Sequence, residues 1–194
     1  MNDDGRIAGS NDLKEFCNKY KIKLSSTKDL TEIDPFELFG LKKSIKIDID
    51  LLEERLLELQ SKVHPDKFIN GSEKDKTISH NLSSKINESY NLLLDNVSRI
   101  NQILKSTGYK INEESKSFED KSVLIEIMDL QSECLLLDTI EQKNKMIKKI
   151  NEIIDHTIEE ILKKFNLKQY VDVYKLNIKL SYLEKMRKNL KENK

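Results

Sequence analysis

A chain of 194 residues with 34 basic and 34 acidic side chains carries no net charge, so no long-range field draws it to nucleic acid or to an anionic membrane. Charged residues make up 35% and apolar residues 37%, with five Gly, two Pro and no Trp, a balance that favours long helices over sheets. Cys17 and Cys134 belong to no CxxC pair, no apolar stretch reaches membrane-spanning length, and the first residues match neither a secretory signal nor a transit peptide. A soluble protein of the bacterial cytoplasm is therefore expected, ahead of a mitochondrial matrix protein.

In chain order, residues 1–33 offer few core-forming side chains. Leu13, Phe16, Cys17 and Tyr20 fit one side of a short helix that Ser25-Ser26-Thr27 interrupts, and a weakly ordered extension, flexible or docked, is expected. Regular structure starts at Asp34-Pro35-Phe36-Glu37, where Asp34 suits an N-cap and Pro35 the first helical position. Phe36, Leu38, Phe39 and Leu41 supply apolar mass, and Gly40 ends this short helix. A second helix starts at Asp48 or Asp50, with Glu53 at capping-box distance from Asp50. Its apolar stripe is Leu52, Leu56, Leu59 and Val63. Pro65 biases His64 away from helical dihedrals and stops the helix there. Residues 68–72 form a loop that turns at Gly71-Ser72.

A third helix spans about Glu73 to Leu94, with Ile78, Leu82, Ile86, Tyr90 and Leu93 facing inward. Val97, Ile100, Ile103 and Leu104 mark a short fourth helix that Gly108 ends. The second and third helices are antiparallel partners, and residues 34–108 form one unit. Residues 109–119 are polar and aperiodic, as a linker is. Three more helical patterns fill 120–194. The first carries Leu124, Ile127, Met128, Leu130, Cys134 and Leu137; the second begins near Asp138, with Glu141 at capping-box distance, and continues through Ile147, Ile150, Ile154, Ile158, Ile161 and Phe165. The third carries Tyr170, Val173, Tyr174, Leu180, Leu183 and Leu190. Short connections make these a three-helix bundle, and the fold class is all-α.

His64-Pro65-Asp66 is the most distinctive local feature. A carboxylate just beyond a helix C-terminus meets carbonyl partial charges if buried, so Asp66 is expected at the surface, open to bidentate pairing with an arginine of a partner. His64 and Pro65 hold the loop shape; Arg55, Lys62 and Lys67, on or near the helix leading into it, steer an acidic partner surface. As an isolated tripeptide, the same residues read first as an ordinary helix stop. No glycine-rich phosphate loop is present, so the chain is expected to be no enzyme and to have no catalytic residues. His80 and His156 lie apart from cysteines and acids at ligand spacing, and no metal or cofactor is expected.

Several strings extend this feature along the chain. They are Phe36-Glu37-Leu38-Phe39-Gly40-Leu41, then His64-Pro65-Asp66-Lys67-Phe68 with Gly71-Ser72 beyond, then Ile86-Asn87-Glu88-Ser89-Tyr90, and Arg99 with Leu104 and Gly108. Further on come Leu124-Ile125-Glu126 with Met128-Asp129, and Tyr182-Leu183-Glu184-Lys185. In this arrangement residues 35–108 resemble a J-domain. More narrowly, residues 35 to about 190 resemble the HscB type of J-protein, the co-chaperone of iron–sulfur cluster assembly.

That resemblance implies two partners. The J-domain would bind a DnaK-type chaperone, of the specialised HscA kind where one exists, and stimulate its ATPase through His64, Pro65, Asp66, Lys67, Arg55 and Lys62. The bundle would bind an IscU-type scaffold through the positions matching the family's patch, Leu124, Ile125, Met128, Asp129 and Tyr182, and deliver it to the chaperone. Spacing along a helix is compatible with one exposed face, and Leu124, Met128 and Tyr182 fit a bundle core as well. Ser132 stands where the family carries a further acid, and Glu53, Glu54, Glu58 and Ser61 dilute the basic face before the loop, so more salt-sensitive docking is expected. Some relatives carry an N-terminal zinc module of paired CxxC motifs, which Cys17 alone does not supply. The alternatives are a J-protein serving a different client and a structural helical protein with an accidental tripeptide.

Overall fold

The computed structural model describes residues 8–20, 33–110 and 121–192. Every regular element among them is helical, and none of the helices is long and apolar enough to cross a membrane. The chain divides into two compact units, one ending at Asn96 and the other beginning at Val97.

In the first unit, α1 (Ala8–Lys19) precedes α2 (Pro35–Leu38), α3 (Ile49–Val63), a 3₁₀ turn (Pro65–Phe68) and α4 (Glu73–Leu94). The Asp34 carboxylate accepts from the Phe36 amide at 2.9 Å and caps α2, with Pro35 in the first turn as expected. Burial opposes ionisation of Asp34, but hydrogen bonds from Lys43 and the Phe36 amide, with the Lys43 charge, outweigh it and hold the carboxyl below its ordinary value. Gly40 follows with φ +62°, a conformation that glycine adopts without strain. Asp48, rather than Asp50, caps α3 by accepting from the Leu51 amide at 3.1 Å.

Helices α3 and α4 form the antiparallel hairpin. Leu52, Leu59 and Val63 of α3 meet Leu82, Ile86 and Leu93 of α4 in a buried core completed by Phe36, Phe39 and Phe68. Two serines occupy core positions that the sequence pattern assigns to their neighbours: Ser79 and Ser89 are buried, whereas Ile78 and Tyr90 are half-buried. Ser79 belongs there because its hydroxyl donates to the Val63 carbonyl at 2.7 Å, satisfying an acceptor that the helix end leaves open. Gln60 adds a second polar tie, donating to Ser83 O and Asn87 Oδ1 while accepting from Ser83 Oγ.

Of the two expectations for the N-terminal segment, flexible or docked, the described part takes the docked form. Helix α1 packs on α3, α4 and the 3₁₀ turn, with Leu13, Phe16 and Cys17 buried. The Tyr20 hydroxyl donates to Leu38 O at 2.9 Å. Burial pushes the Cys17 thiol up from its ordinary pKa.

In the second unit, α5 (Asn96–Ser106) is followed by α6 (Lys121–Leu135), α7 (Ile140–Asn166) and α8 (Tyr170–Glu192). The last three form the three-helix bundle, cored by Ile127 and Leu130 of α6, Ile150, Ile154 and Ile161 of α7, and Val173, Leu180 and Leu183 of α8. The cap of α7 is one residue later than expected: Thr139 and Gln142, not Asp138 and Glu141, form a reciprocal capping box. The unit boundary also falls earlier than the expected 108/109. Asn177 of α8, a buried amide, donates to Val97 O at 3.1 Å and Asn101 Oδ1 at 2.9 Å and ties α5 to the bundle. Of the expected linker 109–119, the stretch from 111 on lies outside the described residues.

Candidate functional site

The first candidate site is built where α3 ends. His64 has φ −58° and ψ 132°, so the chain leaves the helix there, and Pro65 opens the 3₁₀ turn. His64 Nδ1 accepts from the Asp66 amide at 3.3 Å, while the Asp66 carboxylate, 3.6 Å from the same nitrogen, is 80% exposed. Phe68 anchors the far side of the turn in the core, and Gly71 turns so closely over it that a Cβ there would meet Phe68 O at 3.0 Å. The loop is thus pinned by Ser79 on Val63, by the His64 ring and by Phe68, and it presents an acceptor-only carboxylate to solvent.

The cations around this loop are partly committed. Glu58 pairs with Arg55 at 2.7 Å and with Lys62 at 3.0 Å. Its hydrogen bonds raise the Arg55 guanidinium and the Lys62 ammonium above their ordinary pKa values, and Lys62 together with Arg55 lowers Glu58. Lys67 Nζ donates to Ser61 O at 2.7 Å and braces the last turn of α3. Arg55 lies nine residues before His64, about 13 Å along the helix, so the basic face is a stripe rather than a cluster.

The second candidate site lies on the bundle. Leu124, Ile125 and Met128 of α6 are 40%, 58% and 57% exposed, Asp129 is exposed, and Tyr182 of α8 is 41% exposed. The core reading of Leu124, Met128 and Tyr182 is therefore set aside; Ile127 and Leu130 fill the core instead. Lys179 of α8 bridges Glu126 of α6 at 2.7 Å and fixes the two helices side by side. In an up-down-up bundle these helices run parallel, so Tyr182, one turn beyond Lys179, comes level with Asp129. Leu135 and Leu136, which the sequence pattern did not single out, are also exposed and continue the apolar stretch at the end of α6. Ser132 turns inward to its own helix, donating to Met128 O at 2.9 Å.

Comparison with known proteins sets these sites in a family. No family model matches the chain. Over 120 residues it is 35% identical to the co-chaperone protein HscB homolog of Shewanella pealeana, covering 62% of this chain and 67% of that protein. The chain belongs to the HscB co-chaperone family. It is also 28% identical over 170 residues to the iron–sulfur cluster co-chaperone protein HscB homolog of Arabidopsis thaliana, covering 88% of this chain and 66% of that one. The chain spans roughly half to two thirds of the length of these and similar curated relatives. A crystal structure of human co-chaperone protein HscB superposes with a TM-score of 0.75 at 24% identity, covering 84% of this chain and 82% of that one. The fold is that of HscB, an N-terminal J-domain followed by a C-terminal helical bundle.

Within this HscB-family chain, His64, Pro65, Asp66, Lys67 and Lys62 come together at the loop end of α3, and Arg55 stands apart along the same helix. Ser79 of α4, which bonds Val63 O, and Gln60 of α3, which ties that helix to Ser83 and Asn87 of α4, are not singled out by the sequence, since serine and glutamine in a helix carry no local sign of what they face. His80 is exposed, and His156 has Glu160 3.8 Å away at the next helical turn, an acid at i+4 not counted among its neighbours in the sequence. Among the described residues no group of three His, Cys, Asp or Glu side chains is placed to hold a metal ion.

Proposed function

We propose that this chain is a co-chaperone of iron–sulfur cluster assembly. It stimulates the ATPase of a DnaK- or HscA-type chaperone through His64-Pro65-Asp66 and brings an IscU-type scaffold to that chaperone on Leu124, Ile125, Met128, Asp129 and Tyr182. It performs no chemistry of its own: it changes the rate of a partner's hydrolysis and the location of that partner's client, in the bacterial cytoplasm. The observation that carries the reading is the exposed Asp66 carboxylate on a loop pinned from three sides. A carboxylate so presented suits a fork of arginine donors on the chaperone. The exposed apolar patch on α6 and α8, with Asp129 at its edge, supports the second partner, since contiguous apolar surface marks interaction sites.

The test is steady-state ATPase of a DnaK-type chaperone with wild-type chain, His64→Gln and Asp66→Asn. Wild type should stimulate and both variants should lose nearly all of the effect. Equal stimulation by all three, or none by wild type, refutes the loop's role.

A further inference from the structure

Pro65 disturbs the hydrogen bonding at the end of α3. A helical carbonyl takes its bond from the amide four residues on, and proline has no N–H to give, so Ser61 O loses its donor. Val63 O loses its donor too, because the Lys67 amide, four residues on, donates instead to His64 O at 3.1 Å within the 3₁₀ turn. Gln60 O, by contrast, keeps the His64 amide at 2.9 Å. Two side chains supply what the backbone withdraws. Lys67 Nζ donates to Ser61 O at 2.7 Å, and Ser79 Oγ donates to Val63 O at 2.7 Å from α4. Lys67 makes a further contact besides, which an ammonium with three donors accommodates alongside this one.

We propose that Lys67 and Ser79 are a pair of positioning residues for Asp66. They stand in for the two donors that the turn takes from α3, and the part of Lys67 is to hold the helix end rather than to attract a partner. The inference rests on the chaperone-docking reading above and names what keeps that site in its binding form. Asp66 lies between Val63 and Lys67 in the chain, and the two bonds fix both sides of it. Ser79 holds the residue where α3 stops, and Lys67, directly after Asp66, is tied back to the last turn of the same helix. An ammonium suits that place, since the carbonyl partial charges of a helix C-terminus favour a cation. Ser79 is buried and uncharged, so its influence on a partner runs through the loop alone. A loop released from either bond adopts other conformations part of the time, and its apparent affinity falls with the competent fraction. Salt leaves such a loss in place, whereas it screens attraction between exposed charges.

The experiment titrates a DnaK-type chaperone with full-length wild type, Lys67→Met, Ser79→Ala, Ile86→Val and Asp66→Asn, reading steady-state ATPase at low and moderate salt. Circular dichroism checks that all five chains are equally helical. Lys67→Met and Ser79→Ala should each raise the concentration for half-maximal stimulation about threefold, by the same factor at both salts. Ile86→Val removes one methyl from the core of the same hairpin, a comparable loss of stability away from the loop, and should match wild type. A Lys67→Met effect that vanishes at moderate salt makes Lys67 a steering cation, and wild-type behaviour of Ser79→Ala leaves the buried bond without a part in docking. An equal rise for Ile86→Val makes both bonds general supports of the fold. Each of these three results overturns the proposal while leaving the loop's role standing. Absence of stimulation by wild type, or full stimulation by Asp66→Asn, fails the docking reading itself and takes this proposal with it.

Discussion

Glu58 places one carboxylate between the two α3 cations proposed to face a partner. Because Lys62 and Arg55 hold its pKa low, it stays ionised through the physiological range, and the clip opens only as pH falls through that lowered value. Surface pairs of this kind contribute little to stability. Under the proposed docking, their effect would be on the field that an incoming chaperone meets. Glu58→Gln should free both cations and lower the concentration for half-maximal ATPase stimulation about twofold at low salt, with little change in thermal stability. A titration that gives a higher value for the variant would show that the clip positions Arg55 and Lys62 rather than attenuating them. Ser79 works in the other direction: it is buried and uncharged, and its single bond to Val63 O fixes where the exposed carboxylate stands.

At the scale of elements, α6 divides its apolar residues between two tasks. Ile127 and Leu130 are buried while Leu124, Ile125 and Met128 face solvent, so the helix is more apolar than its own core requires. Leu124→Ala with Tyr182→Ala should therefore weaken scaffold binding at least about tenfold by calorimetry, with helicity and scaffold-free ATPase stimulation unchanged. Loss of helicity would instead assign those side chains to the bundle. The sequence made the helices legible because their ends are local events: Asp34 with Pro35 opens α2, and Pro65 closes α3. Other features depend on distant partners and were not legible. Leu13, Phe16 and Cys17 make too short a stripe to signal a stable helix alone, and they are buried only because α3, α4 and the 3₁₀ turn cover them. Ser79 and Ser89 interrupt an apolar pattern that Ile78 and Tyr90 appear to complete, since a hydroxyl's carbonyl partner on another helix leaves no trace in spacing. The exposed half of α6 was legible only as a choice between core and patch.

At the scale of the whole molecule, the division at Asn96/Val97 assigns α5 to the bundle, and the Asn177 side chain, 80 residues from Val97, bonds to it from α8. Asn177→Ala would remove two part-buried hydrogen bonds that hold α5, at a cost of about 0.5–1.5 kcal/mol each. Denaturant unfolding of the full chain should show that loss, and an unchanged midpoint would mean that α5 is held by its apolar side chains alone. With 34 charges of each sign, the molecule gains no general attraction for any partner, so the proposed function rests on local surfaces such as the loop and the patch. The loop's pinning also bears on timing. A segment already locked by Ser79, the His64 ring and Phe68 surrenders little conformational entropy on association, so a small contact area suffices for a specific encounter. Small contact areas release quickly. On the proposed function, a loop built this way would suit repeated, short-lived engagement of a chaperone.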